Sequence, residues 1–285
     1  MDSILFDIQR NASNQIIWQD GQKEEIVRLY VEEKMSINKM TQKFGIHYNT
    51  VKKILTEFNI PLRTRSESHF KDERETSIFK TIDTEEKAYW LGFLAADGCI
   101  CGNYIIIALQ YKDRNHLVKF QNFTKATSVK IQNYDKLDTK GIKRKYSRFA
   151  FASKEMAQDL RSHGIVENKS LILQPPSIPE KFEMDWIRGF FDGDGGLSYS
   201  EKNNRWQSYA NSTKEVLYWI CKKLELNTKP FPQKHHGKFD NVWRIHFNGR
   251  INVYKAWNKI YDQDEATIYL ERKFQLYKKL KETFD

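Results

Sequence analysis

The chain has 285 residues, 40% of them hydrophobic and 14% aromatic, enough for a real core in one to three domains and too much for a disordered chain. Its formal net charge of +10 favours a polyanionic partner. No apolar run approaches the roughly 20 residues that span a bilayer, and Met1-Asp2-Ser3-Ile4-Leu5 lacks the basic start of a signal peptide, so the expected partner is nucleic acid inside a cell, not a membrane.

Residues 1–20 carry little pattern and read as a short strand or extended arm. From Gln22 the pattern is helical, with Ile26, Val27, Leu29 and Tyr30 on an apolar face and Glu24, Glu25, Glu32 and Glu33 outside. Ser36 can N-cap a second helix that turns Ile37, Met40 and Phe44 inward and ends at Gly45. After Ile46-His47-Tyr48, a third helix carries Val51, Ile54, Leu55 and Phe58 and stops before Pro61. Helix, short helix, glycine turn and helix give a helix-turn-helix over 21–65. Its third helix offers Tyr48, Asn49, Thr50, Lys52 and Lys53 to DNA. The basic tail Arg63-Thr64-Arg65 can enter a minor groove. The polar, charged stretch 66–84 reads as a linker.

Two segments then repeat one theme. Trp90-Leu91-Gly92-Phe93-Leu94-Ala95-Ala96-Asp97-Gly98 and Ile187-Arg188-Gly189-Phe190-Phe191-Asp192-Gly193-Asp194-Gly195 are both apolar helices that end in an acid and a glycine, 97 positions apart. The match extends further: Arg148-Phe149-Ala150-Phe151 parallels Arg244-Ile245-His246-Phe247, each followed by an amphipathic helix, 155–163 and 251–261. Strand patterns occupy 104–109, 196–200 and 206–211, with helices over 115–123 and 214–224. The expected fold is therefore α+β: two pseudo-symmetric αββαββα repeats, 85–182 and 183–285, with antiparallel saddle-like sheets, behind a small all-α domain.

Gly92 and Ala96, like Gly189 and Gly193, recur at four-residue spacing, so two helix backbones can approach closely. Gly98 and Gly195 read as helix C-caps. Packed together, the helices would bring Asp97 and Asp194 side by side at ends whose dipoles are also negative. A divalent cation relieves both problems, and hard oxygen ligands select Mg²⁺, or Mn²⁺, over zinc. One Asp-Gly after a helix is ordinary turn chemistry; two, each on a helix of small residues, are not. Three cysteines are too few and too oddly spaced for a disulfide framework or a four-ligand zinc site. They are expected to be reduced, with Cys99 and Cys101 packed near the first motif. His235-His236 reads as a loop pair, not a metal site.

These segments resemble the signature of the LAGLIDADG homing endonucleases in their two-repeat, single-chain form, and the resemblance covers residue 85 to the C-terminus. It implies that Asp97 and Asp194 are catalytic and bind the metal, with Gly98 and Gly195 beside them in the metal site. The first acid of the motif is Ala95 in copy one and Asp192 in copy two, a position that is not the essential ligand. The resemblance also implies a basic residue near each scissile phosphate, which maps onto Lys169, 72 positions after Asp97, and Lys273, 79 after Asp194. Lysine there can stabilise a phosphorane or help activate water. Gln110 and Lys112, near a strand end, can orient water.

Cations and aromatics crowd the strands and loops between the motifs. Copy one has Lys136, Lys140, Lys143, Arg144, Lys145, Tyr146 and Arg148; copy two has Lys202, Arg205, Trp206, Lys234, Lys238, Trp243 and Arg244. On one face of a twisted ribbon such side chains suit a major groove, lysines mostly on phosphate and some arginines on bases. The expected function is a monomeric, site-specific double-strand DNA endonuclease without a small-molecule cofactor. The resemblance implies short 3′ overhangs and a mobile-element setting in a bacterial or phage-infected cell. The competing expectations are a DNA-binding regulator that has lost cleavage and an RNA maturase on the same fold.

Overall fold

The computed structural model describes residues 8–63, 72, 74–138, 141–235, 238–261 and 265–284. The chain divides into two compact units, Met1–Phe70 and Lys71–Asp285.

The first unit is built on three helices, α1 (Gln22–Val31), α2 (Ile37–Phe44) and α3 (Tyr48–Glu57). Ser36 caps α2 by accepting from the Lys39 amide, and Gly45 closes it in the left-handed conformation at φ 63. The His47 side chain accepts from the Asn49 amide and starts α3. Ile26, Leu29, Met40, Val51, Ile54 and Leu55 form the core. Phe58 is not part of it: α3 ends at Glu57, and the ring is exposed. The expected arm is, over its described residues, a short antiparallel pair, β1 (Gln9–Arg10) and β2 (Ile16–Ile17), and Ile8, Ile16 and Trp18 pack against this core.

The second unit repeats one plan twice. The first copy runs α4 (Glu85–Asp97), β3 (Gly98–Cys101), β4 (Tyr104–Gln110), α5 (Arg114–Phe123), β5 (Gln132–Leu137), β6 (Lys143–Ala152) and α6 (Lys154–Ser162). The second runs α7 (Glu183–Asp194), β7 (Gly195–Ser200), β8 (Arg205–Ser212), α8 (Lys214–Lys223), β9 (Phe231–His235), β10 (Lys238–Asn248) and α9 (Arg250–Ile260), with an added α10 (Glu271–Lys281). The sheets have the same antiparallel order, β3-β4-β6-β5 and β7-β8-β10-β9. The fold is the α+β double αββαββα repeat expected, and the strand register makes the equivalence residue by residue. Gly98 lies opposite Ile107 and Ile107 opposite Phe149, as Gly195 lies opposite Ala210 and Ala210 opposite Ile245. Arg148 and Arg244 are therefore equivalent.

One face of each sheet is core. Ile105, Ile107, Phe149 and Phe151 are buried with Leu117, Phe120 and Met156 of the flanking helices; Ala210, Ile245 and Phe247 play this part in the second copy with Val216, Ile220 and Trp257. Between the copies, α4 and α7 are buried on every side and mainly apolar, as helices wedged in an interior must be, with Arg188 and Asp192 the enclosed charged residues of α7. Thr84 caps α4 through the Lys87 amide, and Glu85 and Glu86 suit the positive end of its dipole.

The small residues decide how close these two helices come. A methyl group on Gly92 would overlap the carbonyl oxygen of Trp186, and one on Gly189 would overlap that of Tyr89, a reciprocal pair 97 positions apart. Either Gly92→Ala or Gly189→Ala is expected to force the helices apart and destabilise the protein by about 3 kcal/mol, the upper part of the overpacking range. A shift of the urea midpoint checks this, and an unchanged midpoint would contradict the contact.

Gly98 and Gly195 are the C-cap residues expected, their amides donating to the Leu94 and Phe191 carbonyls, but they cap in the extended conformation, at φ −77 and −78, and open the next strand. Glycine is needed because a Cβ would sit 2.6 Å from the carbonyl oxygen of Leu94 or of Phe191. The described part of the expected linker is not free chain: Ile78, Phe79 and Ile82 are buried in the core of the second unit. Asp72 accepts from Ser128, and Arg74 donates to the Ala152 carbonyl.

Candidate active site

Asp97 and Asp194 are the last residues of the two packed helices. A Cβ on Gly193 would lie 3.4 Å from Asp97 Oδ2, so the end of α7 abuts the Asp97 carboxylate. Asp97 is partly accessible and Asp194 is exposed, yet desolvation by the surrounding protein is the largest influence on both carboxyls. Loss of hydration, then the negative charge of Asp194, raises the Asp97 carboxyl to about 6. Desolvation also raises Asp194, against the pull of Lys169 and Lys273. A cleft of about 250 Å³ beside Asp194 is lined also by Ala95, Ser170 and Asn211. Two larger clefts, about 770 and 830 Å³, contain neither aspartate.

Both predicted lysines reach this place, by a route the sequence does not display. Lys169 is buried and donates to the carbonyls of Ala96 (3.3 Å) and Gly98, at the end of α4. Lys273 is buried at the start of α10 and donates to Phe191 (2.6 Å), Asp192 (2.7 Å), Gly193 (3.1 Å) and Gly195, at the end of α7. Each ammonium thus neutralises the negative end of one motif helix. Burial lowers Lys273 to about 8, while the charges of Asp192, Asp97 and Asp194 hold it up. Four carbonyl oxygens around one nitrogen require the ammonium form. The carbonyls of Gly98 and Gly195 are thereby engaged by lysine, which leaves the two carboxylates as the anionic donors of the site.

Asp192, the first acid of the second motif, and Arg188 are structural residues, a role the sequence did not assign to either. The Asp192 carboxylate is fully enclosed and accepts from Tyr89 Oη (2.8 Å), Tyr261 Oη (2.9 Å) and the Leu270 amide (2.7 Å). Tyr89 Oη also meets His116 Nε2 at 2.9 Å, and burial lowers the imidazole to about 3, keeping it neutral. Arg188, 1% exposed, donates to Glu85 (2.6 Å), Asp185 (2.7 Å) and the Ile268 carbonyl (3.0 Å). Both networks tie the second repeat to α4 of the first. The available signals were an arginine in the middle of the motif helix and the first acid of that motif.

Among the described residues no group of three or more His, Cys, Asp or Glu side chains converges on a metal-sized space. The donor set at the helix ends still fits a hard divalent cation: two neighbouring carboxylates, both raised by desolvation and Asp97 further by the charge of Asp194, at an accessible position that leaves the remaining coordination to water and substrate oxygens. The cysteines are free thiols, and Cys221 is buried, but Cys99 and Cys101 are exposed on the open face of their sheet. The alternation of β3 turns Ile100 inward instead, so they do not pack against the motif.

The predicted nucleic-acid contacts separate into groups. Tyr48, Asn49, Lys52 and Lys53 are exposed on α3, and Thr50 partly so. Arg63 is tied to its own domain: it donates to the carbonyls of Lys34 (2.8 Å) and Met35 (2.5 Å), and its guanidinium lies 4.0 Å from the Tyr30 ring. Lys143 pairs with Asp135 (3.0 Å), Arg144 with Asp138 (2.8 Å), and Lys145 lies over Tyr111. Arg244 donates to Asn211 (2.8 Å) and lies over Tyr209, and Arg205 donates to Asn248. Lys112 and Lys234 are exposed, and Arg148 is partly exposed. Arg65, Lys140 and His236 lie outside the described residues, as does the side chain of Lys238, although its backbone pairs with His235.

No family model matches the chain. An uncharacterized protein of Methanocaldococcus jannaschii is 25% identical over 186 residues, 61% of this chain and 66% of that relative, just under two thirds of its length. Among solved structures, the homing endonuclease I-WcaI bound to its DNA recognition sequence is similar with a TM-score of 0.47 and 17% identity, over 72% of this chain and 91% of that one. The LAGLIDADG meganuclease I-CpaMI bound to uncleaved DNA gives 0.43 and 13%, over 67% and 89%. The I-LtrWI LAGLIDADG homing endonuclease bound to target DNA gives 0.42 and 11%, over 71% and 91%.

Proposed function

We propose that this chain is a LAGLIDADG homing endonuclease of the two-repeat, single-chain kind, a nuclease that cuts both strands of a long DNA target with a divalent metal and leaves short 3′ overhangs. One observation carries the reading: two aspartates at the abutting ends of glycine-packed helices, each helix end neutralised by its own lysine. Asp97 and Asp194 would hold Mg²⁺ or Mn²⁺, which when bound supplies Lewis acidity and a water of lowered pKa. Lys169 and Lys273 contribute positive charge from fixed positions beside the phosphate being cut, without reorganising as its charge develops. Both half-sites of chemistry lie in one chain, so the active species is a monomer on double-stranded DNA.

The helix-turn-helix supplies a second grip through α3. Lys52→Ala and Lys53→Ala are expected to weaken binding across all sequences and to reduce the slope of log affinity against log salt by about one per lysine. A titration over several salt concentrations reads this; an unchanged slope would remove α3 from the interface.

The function itself is tested with a randomised duplex library and Mg²⁺ or Mn²⁺. Discrete ends with short 3′ overhangs are expected. Specific binding without cutting under both ions would replace the nuclease by a regulator, and binding confined to RNA would replace it by a maturase.

A further inference from the structure

The equivalent strands of the two sheets point different chemistry away from the core. Cys101 and Tyr104 form one cross-strand pair, and their counterparts in the second sheet are Ser198 and Gln207. Next along, Ile106 lies opposite Ala150, where the second sheet sets Tyr209 opposite His246. Ala152, opposite Tyr104, corresponds to Asn248, opposite Gln207; Ala108 corresponds to Asn211. Only the arginine is shared. Arg244 is clamped by Asn211 and Tyr209. The residues at those positions in the first sheet are Ala108 and Ile106, and Arg148 has no hydrogen-bond or ion-pair partner among the described residues.

We infer that the two sheets read their half-sites by opposite means: the first by apolar contact with thymine methyl groups, the second by hydrogen bonds to base edges. This rests on the DNA-endonuclease reading above. The occupant is a major groove because the apolar patch is continuous with cations suited to phosphate, Arg148 beside Ala108 and Lys136 opposite Arg144 farther along the same sheet. Isoleucine and alanine side chains cannot replace the water lost from an amino or carbonyl group of a base, so they penalise every polar edge. The thymine methyl is the one apolar group that a base pair shows in that groove. Glutamine, tyrosine, histidine and asparagine in the second sheet supply donors and acceptors, and read the positions that the first sheet reads by shape. Arg148, unclamped, and the exposed Gln132 opposite it and Gln110 two positions beyond Ala108 are the polar readers at the edge of this patch.

The test uses the full chain carrying Asp97→Asn, so that bound duplexes survive, and selection from a randomised library. Repeating the selection with Ile106→Gln identifies the half-site that the first sheet reads, as the half whose sequence changes. Replacing thymine by deoxyuridine in that half is expected to weaken binding about fourfold per methyl removed, the effect of one buried methylene-sized group. The same replacement in the other half is expected to leave affinity unchanged, and Ile106→Gln to abolish the penalty. A uracil penalty absent from the first half, or equal in both, overturns the inference, as does an Ile106→Gln variant that selects the original sequence. Failure to select any sequence would instead remove the endonuclease reading itself.

Discussion

Asp97→Asn is expected to abolish cleavage while making the metal-free protein more stable. The loss of activity is at least about 10²–10³-fold, the scale of removing one preorganised electrostatic group from an active site, and Asp194→Asn is expected to match it. The gain in stability follows from the raised carboxyl of Asp97, about 6 against an ordinary 3.8. The folded chain holds this proton more tightly than the unfolded chain. Its contribution to stability is therefore fully present below about pH 4 and is lost as pH rises through about 6. The full shift would cost about 3 kcal/mol; water at the partly accessible carboxylate reduces this to about 1–2 kcal/mol. In EDTA the wild type should lose stability between pH 4 and pH 7 by that contribution, while Asp97→Asn stays flatter. Adding Mg²⁺ at pH 7.5 should raise the melting temperature of the wild type and leave Asp97→Asn/Asp194→Asn unmoved. Equal cleavage by the Asn variants, or an equal Mg²⁺ response, would remove the aspartates from the metal site.

Lys273→Met is expected to destabilise the protein by about 3–5 kcal/mol, the cost of breaking a buried charge arrangement from one side. Four carbonyl oxygens at the end of α7 would lose their donor, and the enclosed Asp192 carboxylate would lose its cation. The same change at Lys169 should cost less, about 1–3 kcal/mol. That ammonium serves two carbonyls, and Ala95 stands where the second repeat has Asp192. Urea denaturation of the two variants measures the difference, and cleavage assayed well below each midpoint separates chemistry from folding. Unchanged midpoints with lost cleavage would make both lysines purely catalytic. Lost stability with retained cleavage would make them purely structural.

The local rules worked where a residue's environment is set by its near neighbours. Ser36 and Gly45 delimit α2 because a hydroxyl can cap an amide two or three residues on, and glycine accepts positive φ. The amphipathic helices stand within a few residues of where the 3.6-residue period puts them. The edge strands β5 and β9 gave no comparable signal: the alternation that marks a half-buried strand is missing from β5, all of whose residues are exposed. Ile78, Phe79 and Ile82 lay in a stretch whose average polarity hid three apolar anchors.

What the sequence by itself determined was the duplication, the two acids on helices of small residues, the α+β class and the separate helical unit. Each is a matter of local period, caps and repeated spelling. Tertiary structure decided which groups meet: that Lys273 closes on carbonyls about 80 positions away, that Asp192 is gripped by tyrosines from both repeats, that Arg63 is held by its own domain, and that Cys99 faces outward. The physical reason is that a side chain's partner across a fold depends on strand register and helix packing, and a slip of one residue would turn every strand side chain to the opposite face.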